Sequence, residues 1–263
     1  MKEAREIIER YFAEYAVCPA EDGGAVVLTK TAYTPYGDPG EGYFLIDAYY
    51  PAANEAYHKT VRLIADLNAA GIAAERYAKF GFKELAVRGG LADRVYRNTL
   101  AYSGRDGSRF ALSGLCVAGF GQPLPPRPGP ADTAEPPGRQ NTACGDCGQC
   151  VRACPTGAIS ATGFDRAKCL RQYMADGAFP DERAARAAGR RLWGCDLCQA
   201  CCPANSDKTT PMPAELRELL KIEGFVENIS ARVKGLIPWI GANYAKPEKL
   251  KRLAEQLLKG RDL

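Results

Sequence analysis

Apolar positions recur at helical spacing through the charged opening stretch, Met1 to Val17, and predict an amphipathic helix through about Tyr15. The β-branched run Ala25 to Thr29 predicts a strand, and so does Tyr43 to Tyr50. A long helix is expected from about Ala52 to Ala70, with Val61, Ile64, Ala65 and Leu67 on its apolar side. Val95 to Tyr102 and Arg109 to Phe120 read as two further strands. The chain then divides at Gln122 to Gly138, whose prolines exclude helix interiors and central strands alike. Beyond it the pattern breaks into turns and short helices, one around Asp165 to Met174 and one from Asp181 to Leu192. A polar helix over Pro247 to Lys259 follows.

Composition adds bounds to this outline. At 263 residues and 46% hydrophobic, the chain can bury a substantial core in one or two domains. No apolar run reaches the length of a membrane span, and the N-terminus lacks the apolar core of a signal peptide. A reduced, cytoplasmic setting without membrane contact is therefore expected, which argues against disulfides. From Ala231 to Leu263 the chain has eight Lys or Arg against three Asp or Glu, a pattern that reads first as a solvated helix face. The glycine clusters at Gly37 to Gly42 and Gly119 to Gly121 lack the G-x-G-x-x-G order after a strand, so a dinucleotide or flavin site is not supported.

The cysteines carry the chemistry. Nine of the eleven fall between Cys144 and Cys202. The run Cys144, Cys147, Cys150, Cys154, Pro155 is the C-x2-C-x2-C-x3-C-P pattern in which three thiolates wrap one 4Fe-4S cube and the fourth reaches a second. Its partner appears at Cys195, Cys198, Cys201, Cys202, Pro203, where Cys198-x3-Cys202-Pro203 repeats the spacing. Zinc knuckles would leave half of these thiols idle. By the crossed ligation of two-cluster ferredoxins, one cube takes Cys144, Cys147, Cys150 and Cys202, and the other takes Cys154, Cys195 and Cys198. The eighth ligand is either Cys201, which spacing favours, or Cys169. Two oxidised cubes bring roughly four negative charges, which cancel the formal +4, so net charge says nothing about nucleic acid. The fold class expected is α+β. A mixed α/β region (1–121) and a Pro-rich linker (122–141) precede a bacterial-ferredoxin-like double-cluster domain (142–210) and a helical C-terminal segment (211–263).

Cys144 through Ile159, then the lone Cys169, then Gly194 through Pro203 resemble the double-cluster region of epoxyqueuosine reductases, which is itself similar to that of reductive dehalogenases. Upstream, Tyr57-His58-Lys59, Lys83 to Leu91, Tyr96-Arg97-Asn98 and Gly107-Ser108 also resemble family elements, so the likeness covers roughly Ala48 to Asn205. The resemblance implies that Cys169 is the eighth ligand and Cys201 the spare. It implies cobalamin between the α/β and cluster domains, with Arg97, Asn98 and Ser108 lining its site and the cubes reducing it. It further implies a low-potential electron donor such as ferredoxin or flavodoxin, and a small or nucleoside-like substrate. The family's aspartate proton donor has no counterpart in Ile72 to Phe82, where Glu75 and Tyr77, with Tyr96 beyond, are the acids present. Tyr96 also stands where the family has a glycine before Arg-Asn, and the chain reads as truncated about sixty residues after Pro203. The helical-repeat domain that holds tRNA in the family lies beyond that point, which puts tRNA in doubt as a partner. His58, the only histidine, reads as solvent-facing rather than as a cobalt ligand. Cys18 and Cys116 read as packing residues. Two function classes result: a cobalamin-dependent iron-sulfur reductase, or a ferredoxin-like electron-transfer protein with no turnover of its own.

Overall fold

The first half of the chain runs α1 (Lys2–Glu9), β1 (Tyr15–Pro19), β2 (Ala25–Ala32), β3 (Leu45–Ile46), α2 (Tyr49–Ala69), β4 (Ala74–Arg76), α3 (Phe82–Arg88), β5 (Arg94–Val95), β6 (Ala101–Tyr102) and β7 (Phe110–Val117). The second runs α4 (Gln149–Ala153), a 3-10 turn (Arg166–Lys168), α5 (Leu170–Asp176), α6 (Glu182–Ala188), β8 (Arg191–Trp193), α7 (Leu197–Ala200), α8 (Ala214–Leu219), α9 (Ile229–Ile240) and α10 (Pro247–Lys259). This computed structural model describes residues 2–19, 25–79, 81–95, 98–118, 144 and 147–260. The expected linker at 122–141 lies outside the described residues, as do Tyr96 and Arg97. The chain divides into two compact units, Met1–Tyr33 with Glu55–Cys147 and Thr34–Asn54 with Gly148–Leu263.

The first unit is built on an antiparallel sheet in the order β1-β2-β7-β4. Strand side chains alternate between faces with a period of two, and both faces here are apolar. Val17, Val27, Leu115 and Val117 pack with Ile7 and Ile8 of α1 and Leu63 and Leu67 of α2. Ala16, Cys18, Val26, Leu28 and Phe110 pack on the other side with Leu85 and Ala86 of α3. A three-layer arrangement follows, and it leaves β2 nearly continuous in apolar residues, as a doubly covered strand should be. Lys30 is the exception. Its side chain is 3% exposed, and its ammonium group lies 2.8 Å from Glu14 and 2.7 Å from Asp106, which tie the turn before β7 to the sheet.

Three expectations are corrected in this unit. The opening helix stops at Glu9, closed by the Tyr11 and Phe12 amides on the Ile8 carbonyl, and Tyr15–Pro19 joins the sheet because β2 offers it a complete ladder. On α2 beyond Ala52 the buried positions are Ala56, Thr60, Leu63 and Leu67, while Val61 is 41% exposed and Ala65 faces solvent. The strand expected over Val95 to Tyr102 is a hairpin, with β5 and β6 paired antiparallel across a turn in which Thr99 has φ 63°.

The second unit gathers five helices around a short parallel pair, β3 with β8, registered Leu45 to Arg191 and Ile46 to Trp193. Its core joins Phe44, Ile46 and Tyr50 to Leu170 and Met174 of α5, Leu216 of α8, Leu236 of α9, and Leu250 and Leu253 of α10. Of the strand expected from Tyr43 to Tyr50, only Leu45–Ile46 is strand, and α2 has begun by Tyr49. Residues 34–54 therefore complete the core of the C-terminal half rather than that of residues 1–121, and the segment 211–263 shares one core with residues 148–210.

Candidate metal centre

Glycine opens the first cysteine motif. Gly148, at φ 59°, caps α4 and starts the turn of helix that carries Cys150. Cys154 ends α4 in extended conformation, and the Cys154 to Ile159 turn then folds back, with the Gly157 amide on the Cys154 carbonyl at 3.2 Å. Burial acts to raise the Cys154 thiol, but the amides of Ile159, Thr156 and Ala158 and the Thr156 hydroxyl, 3.7 Å away, override it and hold the group below its ordinary value. Such a ring of donors favours a thiolate and tunes the potential of a cluster bound to it. The Asp165 amide then bonds the Ala158 carbonyl, and the Asp165 side chain caps the 3-10 turn that delivers Cys169 to the start of α5.

The distal motif is set by Gly194, whose φ of 83° suits glycine, and where a Cβ would meet Asp47 Cβ at 2.5 Å and Tyr50 Cε2 at 2.7 Å. Cys195 follows at once, Cys198 lies on α7, and α7 packs against α4. Burial pushes the Cys195 thiol up to about 12, against the pull of the Leu197 amide and Arg191, and Cys169 adds to the rise. Cys198 is raised further still, first by burial and then by Cys195, Cys169, Cys150 and Cys201. Thiols so disposed ionise with a compensating cation, a charge that iron bound there would supply. Cys169 thus acts on both Cys195 and Cys198, while Cys201 acts on Cys198 and its thiol points at the Cys198 carbonyl, 3.7 Å away. Cys202 is fixed by its amide on the Gln199 carbonyl, and the Asn205 amide in turn closes on Cys202. Among the described residues no three of these donors converge closely enough for a single ion. A cube, with iron at separate corners, takes its thiolates farther apart.

The boundary between the two units falls within the first motif, between Cys147 and Gly148. Of the residues expected to line a cofactor, Arg97 is outside the described residues. Asn98 and Ser108 are 4% and 5% exposed, and Asn98 accepts the Leu100 amide at 3.2 Å. Lys83 donates to the Thr99 carbonyl of the same turn. Glu75 is exposed on β4, Tyr77 is buried, and His58 is exposed on α2 against the Tyr57 ring. Cys18 is fully buried, donates to the Leu85 carbonyl at 3.3 Å, and is raised to about 11 by burial, as suits a packing thiol. The amides around Cys154 escaped sequence reasoning, because a backbone donor leaves no residue type to read.

Comparison with known proteins places this arrangement. Residues 143–205 match the model of a 4Fe-4S double cluster binding domain. Over 182 residues the chain is 32% identical to an epoxyqueuosine reductase of Vibrio cholerae, covering 64% of this chain and 44% of that protein. Over these residues the chain is similar to epoxyqueuosine reductases, and it carries a double 4Fe-4S cluster binding domain. The fold agrees with that of the family: a structure of the Bacillus subtilis epoxyqueuosine reductase, its catalytic loop swung out of the active site, superimposes with a TM-score of 0.69 at 19% identity, over 89% of this chain and 64% of that one. An epoxyqueuosine reductase crystallised with an epoxyqueuosine-modified tRNA stem loop gives 0.68 at 20% identity, over the same shares of the two chains. The match spans less than half the length of the curated family members. Among the described residues no helix is long and apolar enough to cross a membrane.

Proposed function

We propose that this chain is an iron-sulfur reductase whose two 4Fe-4S cubes pass single electrons to cobalamin for a reductive reaction on a nucleoside-like substrate. The observation that carries it is the pairing of two complete thiol sets with a separately cored α/β unit, since two cubes alone need no such unit. One cube is assigned to Cys144, Cys147, Cys150 and Cys202, the other to Cys154, Cys169, Cys195 and Cys198. The electrostatic influence of Cys169 on both Cys195 and Cys198, against that of Cys201 on Cys198, supports Cys169 as the eighth ligand. Bound cobalamin would supply a strongly reducing cobalt nucleophile, which needs the low potentials that buried cysteine-ligated cubes reach. Arg97, Asn98 and Ser108 are the residues the resemblance assigns to the cofactor, and their polar side chains suit the amide rim of a corrin.

Epoxyqueuosine on a tRNA stem loop is held by one solved relative. That supports a nucleoside presented on tRNA here too, against the doubt raised by the length of the chain. A one-electron carrier of ferredoxin or flavodoxin type, in the cytoplasm, completes the proposal. Titrating the anaerobic holoprotein with cob(II)alamin tests it: the cobalt resonance shifts in electron paramagnetic resonance as the corrin binds. A signal that stays that of free cob(II)alamin at concentrations well above the protein refutes the reductase and leaves the electron-transfer reading.

A further inference from the structure

Trp193 is 1% exposed, and its indole N–H has no hydrogen-bond partner among the described residues. Leaving a buried donor unpaired costs free energy that a phenyl ring at the same place would avoid, so the indole calls for a reason. Its ring lies 5.4 Å from that of Tyr244 and 5.8 Å from that of Tyr50, and Tyr244 and Tyr50 are themselves 5.4 Å apart. Tyr244 is 43% exposed. On the inner side Trp193 is joined through Gly194 to Cys195, and the missing Cβ of Gly194 lets the chain press on Tyr50. Packed rings and covalent bonds therefore run without a solvent gap from the surface at Tyr244 to a cluster cysteine.

The outer end of this path has a definite character. Ile237, 38% exposed, lies two turns before Tyr244, linked to it by the Gly241 amide on the Ile237 carbonyl and the Tyr244 amide on the Gly241 carbonyl. Lys234 and Lys246 are exposed beside them, the Lys246 amide bonding the Tyr244 carbonyl. Between Ile229 and Arg252 the sequence has six Lys or Arg and a single acid, Glu248. Two exposed apolar side chains within a cationic rim match a partner that is acidic around a small apolar contact.

We propose that the end of α9, the loop after it and the start of α10 form the docking face for a small acidic one-electron carrier protein, with Tyr244 and Trp193 as the route to the cube held by Cys195. One electron leaves the carrier and one enters the cube. The rings are neither oxidised nor reduced, because they act as the medium through which the electron tunnels, and no proton is required. The inference rests on the chain holding its cubes and not on its binding cobalamin.

The test uses reconstituted holoprotein without cobalamin, mixed in a stopped-flow instrument with reduced flavodoxin as the acidic carrier or with photoreduced deazaflavin as a small neutral reductant. Bleaching of the cube absorbance gives the rate. The double variant Lys234→Glu, Lys246→Glu should slow reduction by flavodoxin about tenfold or more at low salt. The gap should narrow at high salt, where the charges are screened, and the deazaflavin rate should not change. Tyr244→Ser should slow flavodoxin at both salt levels and leave deazaflavin unaffected. Flavodoxin rates that agree within about twofold between wild type and the charge-reversed variant at low salt would overturn the proposal. So would an equal slowing with both reductants. Iron content, measured on the same samples, separates loss of this surface from loss of the cubes.

Discussion

Replacing Gly194 with alanine tests whether the distal motif is positioned as the structure requires. The residue sits at φ 83°, where a left-handed conformation costs an alanine about 1–2 kcal/mol. The added Cβ also meets Asp47 Cβ at 2.5 Å and Tyr50 Cε2 at 2.7 Å. Neither neighbour yields easily: the Asp47 amide is bonded to the Trp193 carbonyl at 2.9 Å, and the Tyr50 hydroxyl accepts from Arg171 Nε at 2.9 Å within the core. Overpacking of this kind adds about 1–3 kcal/mol, so the total is about 2–5 kcal/mol. Gly224→Ala is the control, since Gly224 shares the positive φ in the same unit but its Cβ would face only the amide end of Asn228, at 3.2 Å. Urea unfolding, followed by far-ultraviolet dichroism and by the visible absorbance of the cubes, should show Gly194→Ala at least about 1 kcal/mol less stable than Gly224→Ala. It should also lose its cubes at lower urea. Equal stabilities for the two variants would refute the reasoning.

Removing Lys30 as Lys30→Met should destabilise the protein by about 1–3 kcal/mol in urea unfolding, because Glu14 and Asp106 lose their buried cation and keep only the exposed Arg105. The same pair sets a pH dependence. Burial acts to raise the Asp106 carboxyl and Lys30 overrides it, so its pKa in the fold lies below the usual carboxylate value. That contribution is present above about pH 4 and is lost as pH falls through the lowered value, and the acid loss should be smaller in Lys30→Met. Cys169→Ala should remove one cube while Cys201→Ala keeps both, as read from iron content and the resonance of the reduced protein; the reverse outcome would reassign the eighth ligand.

The cysteine motifs were legible because thiolate ligation imposes a spacing on the sequence itself, and the C-terminal helix, Pro247–Lys259, because its amphipathic period is uninterrupted. β3 was less so. A pair of residues registered with a partner about 145 positions away leaves no local pattern, and Phe44, Ile46 and Tyr50 read as an N-terminal strand until Arg191–Trp193 is seen beside them. The same limit hid the role of Tyr244, which only the fold brings against Trp193. Val61 misled for a different reason: its apolar side chain lies a third of a turn off the buried stripe of Thr60, Leu63 and Leu67, and a helix exposes such residues without penalty enough to forbid them.

The central claim is that the chain carries two complete thiol sets for two cubes. Iron and acid-labile sulfide, determined per chain on protein reconstituted and desalted under anaerobic conditions, test it most directly. Roughly eight of each, with no zinc, is the result the account predicts. Roughly four iron per chain, or zinc in place of iron, would contradict it.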